Sequence, residues 1–126
     1  MVRLEKEPLN IDFLIGSLKS DTAGSIVIFL GEPRRGKGDG PVVSIDYSTY
    51  EEMALKELIR IEEEALKKDG IIDVIIVHRV SEVPLKEISF FVGVSSAHRK
   101  EGFEICNFIV EEVKKNVPIW KEIKYD

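Results

Sequence analysis

The sequence holds a single cysteine, Cys106, among its 126 residues. An internal disulfide is excluded, and a cysteine-ligated zinc site has no ligand set to draw on. No apolar run approaches the roughly 20 residues that a membrane helix needs. The opening Met1-Val2-Arg3-Leu4-Glu5-Lys6 lacks the apolar region of an export signal, so the cytoplasm is the expected location. His-Glu-x-x-His, Cys-x-x-Cys and a serine nucleophile elbow are all missing, and neither a bound metal nor a cofactor is expected. There is no excess of positive charge either. The formal net charge is −5, which argues against a general nucleic-acid face. No repeat and no long linker divides the chain. Its length and 44% hydrophobic content fit one globular domain over residues 1–126.

What positive charge there is falls in clusters. Arg34, Arg35 and Lys37 share one glycine-rich loop, His98, Arg99 and Lys100 are consecutive, and Lys114, Lys115, Lys121 and Lys124 crowd the end. Local basic clusters on an acidic chain suit a small anion or the acidic tail of a partner.

Hydrophobic spacing predicts the elements. Asn10 caps a short helix through Ile11, Phe13, Leu14 and Leu18. Ser25–Leu30 reads as a buried strand and Val42–Tyr47 as an alternating one. With the Gly31–Gly40 loop between them, the two are expected to form a long hairpin. Ser48-x-x-Glu51 and Thr49-x-x-Glu52 are overlapping capping boxes. They open a helix with Ala54, Leu58, Ile61 and Ala65 on one face, closed by Gly70. Ile71–Val77 and Ile88–Ser95 read as strands, and His78, at the end of the first, as structural. Ser96 is expected to cap a second long helix from about Ala97 to Asn116, stopped by Pro118, with a short strand near Trp120–Ile123. The result is an α+β fold in which two long helices pack on mainly antiparallel sheet.

Three stretches carry residues suited to chemistry. His98-Arg99-Lys100 stands at a helix start, where the backbone already carries partial positive charge. Either these side chains simply reach solvent, or an anion offsets them. The Gly31–Gly40 loop has glycines that allow close approach to a phosphate, but it lacks the Gly-Lys-Ser/Thr ending of a Walker motif, and a solvated loop accounts for it equally well. Lys114 and Lys115 suit a helix C-terminus on dipole grounds alone. Alternatively, the Pro118 turn brings Lys121 back toward Lys114, pairing a nucleophile or general base with a cation beside an anionic substrate. Taken this far, a non-catalytic small-anion-binding or regulatory α+β domain is an equal account.

His78-Arg79-Val80-Ser81-Glu82-Val83, Phe91-Val92-Gly93-Val94-Ser95-Ser96-Ala97-His98-Arg99, Phe103-Glu104, Phe108-Ile109 and Lys114 through Trp120-Lys121 together resemble the large, catalytic subunit of molybdopterin synthase, the MoaE family. The resemblance runs from Ser25 to Lys121 and is strongest from His78 onward. It implies an α/β-hammerhead fold and a homodimer at the centre of a heterotetramer. It also implies a small ubiquitin-like sulfur-carrier subunit whose Gly-Gly C-terminus enters the active site as a thiocarboxylate. The implied reaction is the transfer of sulfur, twice, to cyclic pyranopterin monophosphate, giving the dithiolene of molybdopterin. By the same resemblance, the catalytic lysines fall on Lys114 and Lys121, and the substrate-binding residues on Arg34, His98 and Arg99.

Three departures stand out. Arg35-Gly36 occupies a stretch that is polar, with Asn and His, in many relatives. Ser81 stands where the family usually has glycine, and a positive φ there would strain it. Many relatives continue past the position of Asp126 into a tail that supplies a basic residue across the dimer, a contact that is either missing here or made by another residue such as Lys124.

Overall fold

The computed structural model describes residues 1–126 as two sheets and three helices. The larger sheet contains β1 (Val2–Glu5), β2 (Ser25–Gly31), β4 (Ile71–Arg79) and β6 (Phe90–Ser96), in the order β1-β4-β6-β2. β1 runs parallel to β4, and the other neighbours are antiparallel. The smaller sheet is wholly antiparallel, with β3 (Val42–Thr49) between β5 (Glu82–Pro84) and β7 (Ile119–Tyr125). The helices are α1 (Ile11–Leu18), α2 (Glu51–Leu66) and α3 (Arg99–Asn116). The α+β class expected from the sequence is what forms.

The period-2 geometry of β4 divides the core. Val74 and Ile76 point to one face, where Ala54, Leu58, Ile61 and Ala65 of α2 and Ile105, Cys106, Ile109 and Val113 of α3 bury them. Ile75 and Val77 point to the other, against Leu14 and Leu18 of α1. Every residue of β6 is buried, because helices cover this strand from both sides. At Gly93 the Leu18 side chain comes so close that a methyl group would collide with it and with Phe91. A third, small core of Ile45, Tyr47 and Val83 belongs to the β5-β3-β7 sheet.

Several expectations are corrected. β2 and β3 do not pair as a hairpin; they enter different sheets, and the loop between them is a crossing. Neither Ser48 nor Thr49 caps α2, whose N-cap is Tyr50 without a side-chain bond; Glu51 and Glu52 supply the favourable charge of the first turn instead. The Thr49 hydroxyl donates to the Pro118 carbonyl, tying β3 to the start of β7. α3 begins at Arg99 rather than near Ala97, and Ser96 Oγ donates to the His98 carbonyl (2.7 Å) instead of capping the helix. β1 and β5 are additional short strands. Asn10 caps α1 as expected, accepting from Phe13 N at 3.0 Å. Gly70 does not close α2, which ends at Leu66 with Lys67 as its C-cap; its positive φ (88°) serves the Lys68–Ile71 turn that leads into β4. Ser81 is not strained, since Lys86 is the only non-glycine residue with positive φ. The Ser81 hydroxyl donates to the Lys6 carbonyl at 2.7 Å, a bond that a glycine could not make.

Candidate active site

The last turn of α3, the ends of β2, β4 and β6, and residues of β3 and β7 line a cleft of about 230 Å³. Two chain reversals build it. Pro118 cannot continue a helix, so the chain leaves α3 at Val117 and returns as β7. β7 then pairs antiparallel with β3 in a register that sets Lys121 opposite Tyr47. Lys114, from the last turn of α3, and Lys121, from β7, thereby line the same cleft. The Thr49–Pro118 bond fixes the turn between them.

Between the two lysines lies a row of rings. Lys114 Nζ stands 5.8 Å from the centroid of Phe29. Phe29 meets Phe90 edge-on (5.6 Å), Phe90 stacks on His78 (5.0 Å, 27° between planes), and His78 meets Tyr47 edge-on (5.1 Å). These rings give the cleft an aromatic lining between its two cations.

His78, expected from the sequence to be structural, is a further functional candidate. It lines the cleft beside both lysines and is only 7% exposed. Its Nδ1 lies 2.8 Å from the Arg79 carbonyl. A carbonyl can only accept, so Nδ1 carries the proton and Nε2 of the neutral ring is left as an acceptor. Burial pushes the His78 pKa down to about 4; the Arg79 carbonyl opposes that shift and the charge of Lys121 adds to it. The available signal was its alternation: His78 continues the helix-side positions of Val74 and Ile76, where a polar residue needs a reason.

The other predicted residues lie elsewhere. Glu32, just after β2, reaches the cleft rim, and Arg34 follows two residues later, exposed and outside the lining. Its loop is a defined turn in which Gly36 N donates to Asp39 Oδ2 (2.6 Å). His98 and Arg99 stand at the opposite end of α3 from Lys114. At 1.5 Å per residue, about 22 Å of helix separates Arg99 from Lys114, so one chain does not bring them together. Both are exposed, and His98 Nδ1 sits 3.8 Å from Glu101 Oε2. Lys124 projects from the opposite face of β7 to Lys121. There it bonds Glu122 at 3.0 Å, and that bond, with Asp46 and Glu82 nearby, raises its pKa. Cys106 is buried, and burial pushes its thiol up to about 11, which removes it as a nucleophile or sulfur carrier near neutral pH. No cluster of three or more His, Cys, Asp or Glu is placed to hold a metal, and no helix is long and apolar enough to cross a membrane.

Residues 4–116 match the family model described as MoaE protein. The chain is 45% identical over 122 residues to the molybdopterin synthase catalytic subunit of Pyrococcus abyssi, covering 95% of this chain and 82% of that one. It is 38% identical to the Thermoplasma volcanium catalytic subunit, covering 95% and 88%. The crystal structure of molybdopterin synthase from Staphylococcus aureus superposes with a TM-score of 0.90 at 29% identity, over 98% of this chain and 90% of that one. The chain belongs to the MoaE family of molybdopterin synthase catalytic subunits, sulfur-transferring enzymes of molybdenum cofactor biosynthesis.

Proposed function

We propose that the chain transfers sulfur from the C-terminal thiocarboxylate of a small ubiquitin-like subunit to cyclic pyranopterin monophosphate, with Lys114 and Lys121 as the catalytic pair. The observation that carries this reading is the single cleft shared by two cations from different elements, floored by aromatic rings. A slender Gly-Gly tail suits such a cleft, because glycine has no side chain to exclude it. The rings offer stacking surface to a flat heterocycle. Lys114, over Phe29 in the last helical turn, is assigned to the thiocarboxylate and the sulfur-transfer step. Lys121 is assigned to charge neutralisation or proton transfer as the thiocarboxylate sulfur bonds to the substrate and water then cleaves the acyl–sulfur bond, leaving the tail as a carboxylate.

The phosphate of the substrate calls for fixed donors. Arg34, close in sequence to the cleft rim, and His98 with Arg99, at a helix N-terminus, are assigned to it. His98 and Arg99 serve the Lys114 cleft only if a second copy delivers them, and a homodimer at the centre of a heterotetramer provides that route. The test mixes this chain, the thiocarboxylated small subunit and cyclic pyranopterin monophosphate, and assays dithiolene product. Product that disappears with Lys114→Ala supports the reading. No product from the intact chain with an authentic partner overturns it, and near-normal turnover by Lys114→Ala overturns the assignment of that lysine.

A further inference from the structure

We infer that His78 is a positioning residue, whose bare Nε2 accepts a hydrogen bond from the Lys121 ammonium when that exposed side chain turns in over the cleft, and holds it there. The inference rests on the assignment of Lys121 to the chemistry made above, but the contact itself is testable without turnover.

Four observations carry it. First, the tautomer is fixed, because Nδ1 is committed to the Arg79 carbonyl at 2.8 Å. Nε2 is then a lone-pair acceptor that no group in the structure donates to, open to the cleft rather than sealed beneath it. Second, the ring cannot turn away. Phe90 stacks on one side of it and Tyr47 meets it edge-on. Third, the β3–β7 register puts Lys121 directly across from Tyr47, the same residue that abuts the His78 ring. Fourth, His78 and Lys121 line one cleft, whereas Lys114 is placed over Phe29 at the other end of the row of rings. The acceptor therefore serves Lys121 rather than Lys114. The other titratable groups on this cleft are Glu32 after β2, Tyr47 on β3 and Lys114 on α3. Glu32 is the rival acceptor for Lys121, and the experiment separates the two.

A lysine on a flexible four-carbon stem loses much rotamer freedom when it is fixed for reaction. A rigid acceptor at its tip meets part of that cost before substrate arrives, which is where a positioning residue acts.

Three measurements on the full chain decide the matter. Nitrogen NMR of the two histidine rings at neutral pH, with exposed His98 as the internal reference, should show His78 protonated at Nδ1 and bare at Nε2. The opposite tautomer overturns the inference, and no variant is needed to see it. Amine labelling followed by mass spectrometry should show Lys121 reacting more slowly than Lys115 in the intact chain. In His78→Phe, which keeps a ring but has no acceptor, Lys121 labelling should rise about tenfold while Lys115 is unchanged. His78→Gln, whose side-chain oxygen reaches the Nε2 position, should restore slow labelling. An unchanged Lys121 rate in folded His78→Phe, or a rise seen in Glu32→Gln instead, overturns it. In the assembled synthase His78→Phe should lower kcat about tenfold with KM little changed, and His78→Gln should recover most of it. A synthase that makes no product leaves the labelling result intact, so failure of the proposed reaction and failure of this contact are read separately.

Discussion

His78 on β4 and Lys121 on β7 face the same cleft from different sheets, and the charge of Lys121 is one reason that His78 stays neutral. The pair therefore links the reactive edge of the molecule to its stability.

The first prediction concerns acid. His78 has its pKa lowered from 6.5 to about 4 in the folded chain, chiefly by burial. Between those values the unfolded chain binds a proton at this ring and the folded chain does not. The stabilisation is therefore complete above pH 6.5 and is lost as the pH falls through that window toward 4. Its size is on the order of 3 kcal/mol. Urea unfolding at a series of pH values should show this loss in the intact chain, and His78→Phe should remove most of the slope. Lys121→Met should raise the His78 midpoint, since it deletes a charge that opposes protonation. An equal slope in His78→Phe would assign the acid sensitivity to other groups.

The second prediction separates the lysines. Lys114→Ala and Lys121→Ala should each cost about 100-fold or more in turnover, with little change in thermal midpoint because both side chains are exposed. Lys115→Ala and Lys124→Ala should stay close to the parent. Lys115 is not part of the cleft lining, and Lys124 is bound to Glu122 on the other face of β7. A large loss with Lys124→Ala would place the reactive face of β7 on the wrong side.

The third prediction concerns the clamp beneath Lys121. Thr49→Val keeps the shape of the side chain but leaves the Pro118 carbonyl without its donor. It should destabilise the fold by about 1–2 kcal/mol and lower kcat more than it raises KM, because it loosens the turn that sets the lysine spacing. Unchanged kinetics alongside the stability loss would show that the clamp is structural only.

How much of this was legible in the sequence depended on how local each feature is. The Asn10 cap was readable because its partner lies within a turn of it. Apolar strands announce burial but not their neighbours, so Ser25–Leu30 and Val42–Tyr47 looked like two arms of a hairpin although β6 and β7 claim them separately. The capping boxes failed for a related reason: the Thr49 hydroxyl found a tertiary acceptor 69 residues away. The lysines were identified through family spacing, whereas His78 needed the fold, since the rings that clamp it come from β3 and β6.

The last prediction tests the geometry of α3. The roughly 22 Å between Arg99 and Lys114 forbids one chain from supplying both to one substrate. If a two-fold dimer completes the site, each active centre takes Lys114 from one copy and Arg99 from the other. Lys114→Ala and Arg99→Ala chains should each be nearly inactive alone. After the two are unfolded together, refolded and mixed with the small subunit, half of the dimers should be hybrids. In each hybrid one centre has lost both residues and the other has kept both. Activity should return to about a quarter of the parent value. Mixing without subunit exchange should return none. If refolded hybrids are confirmed by mass spectrometry and no activity returns, Arg99 acts within its own chain or not at all, and the assignment of the His98-Arg99 pair to the substrate phosphate falls.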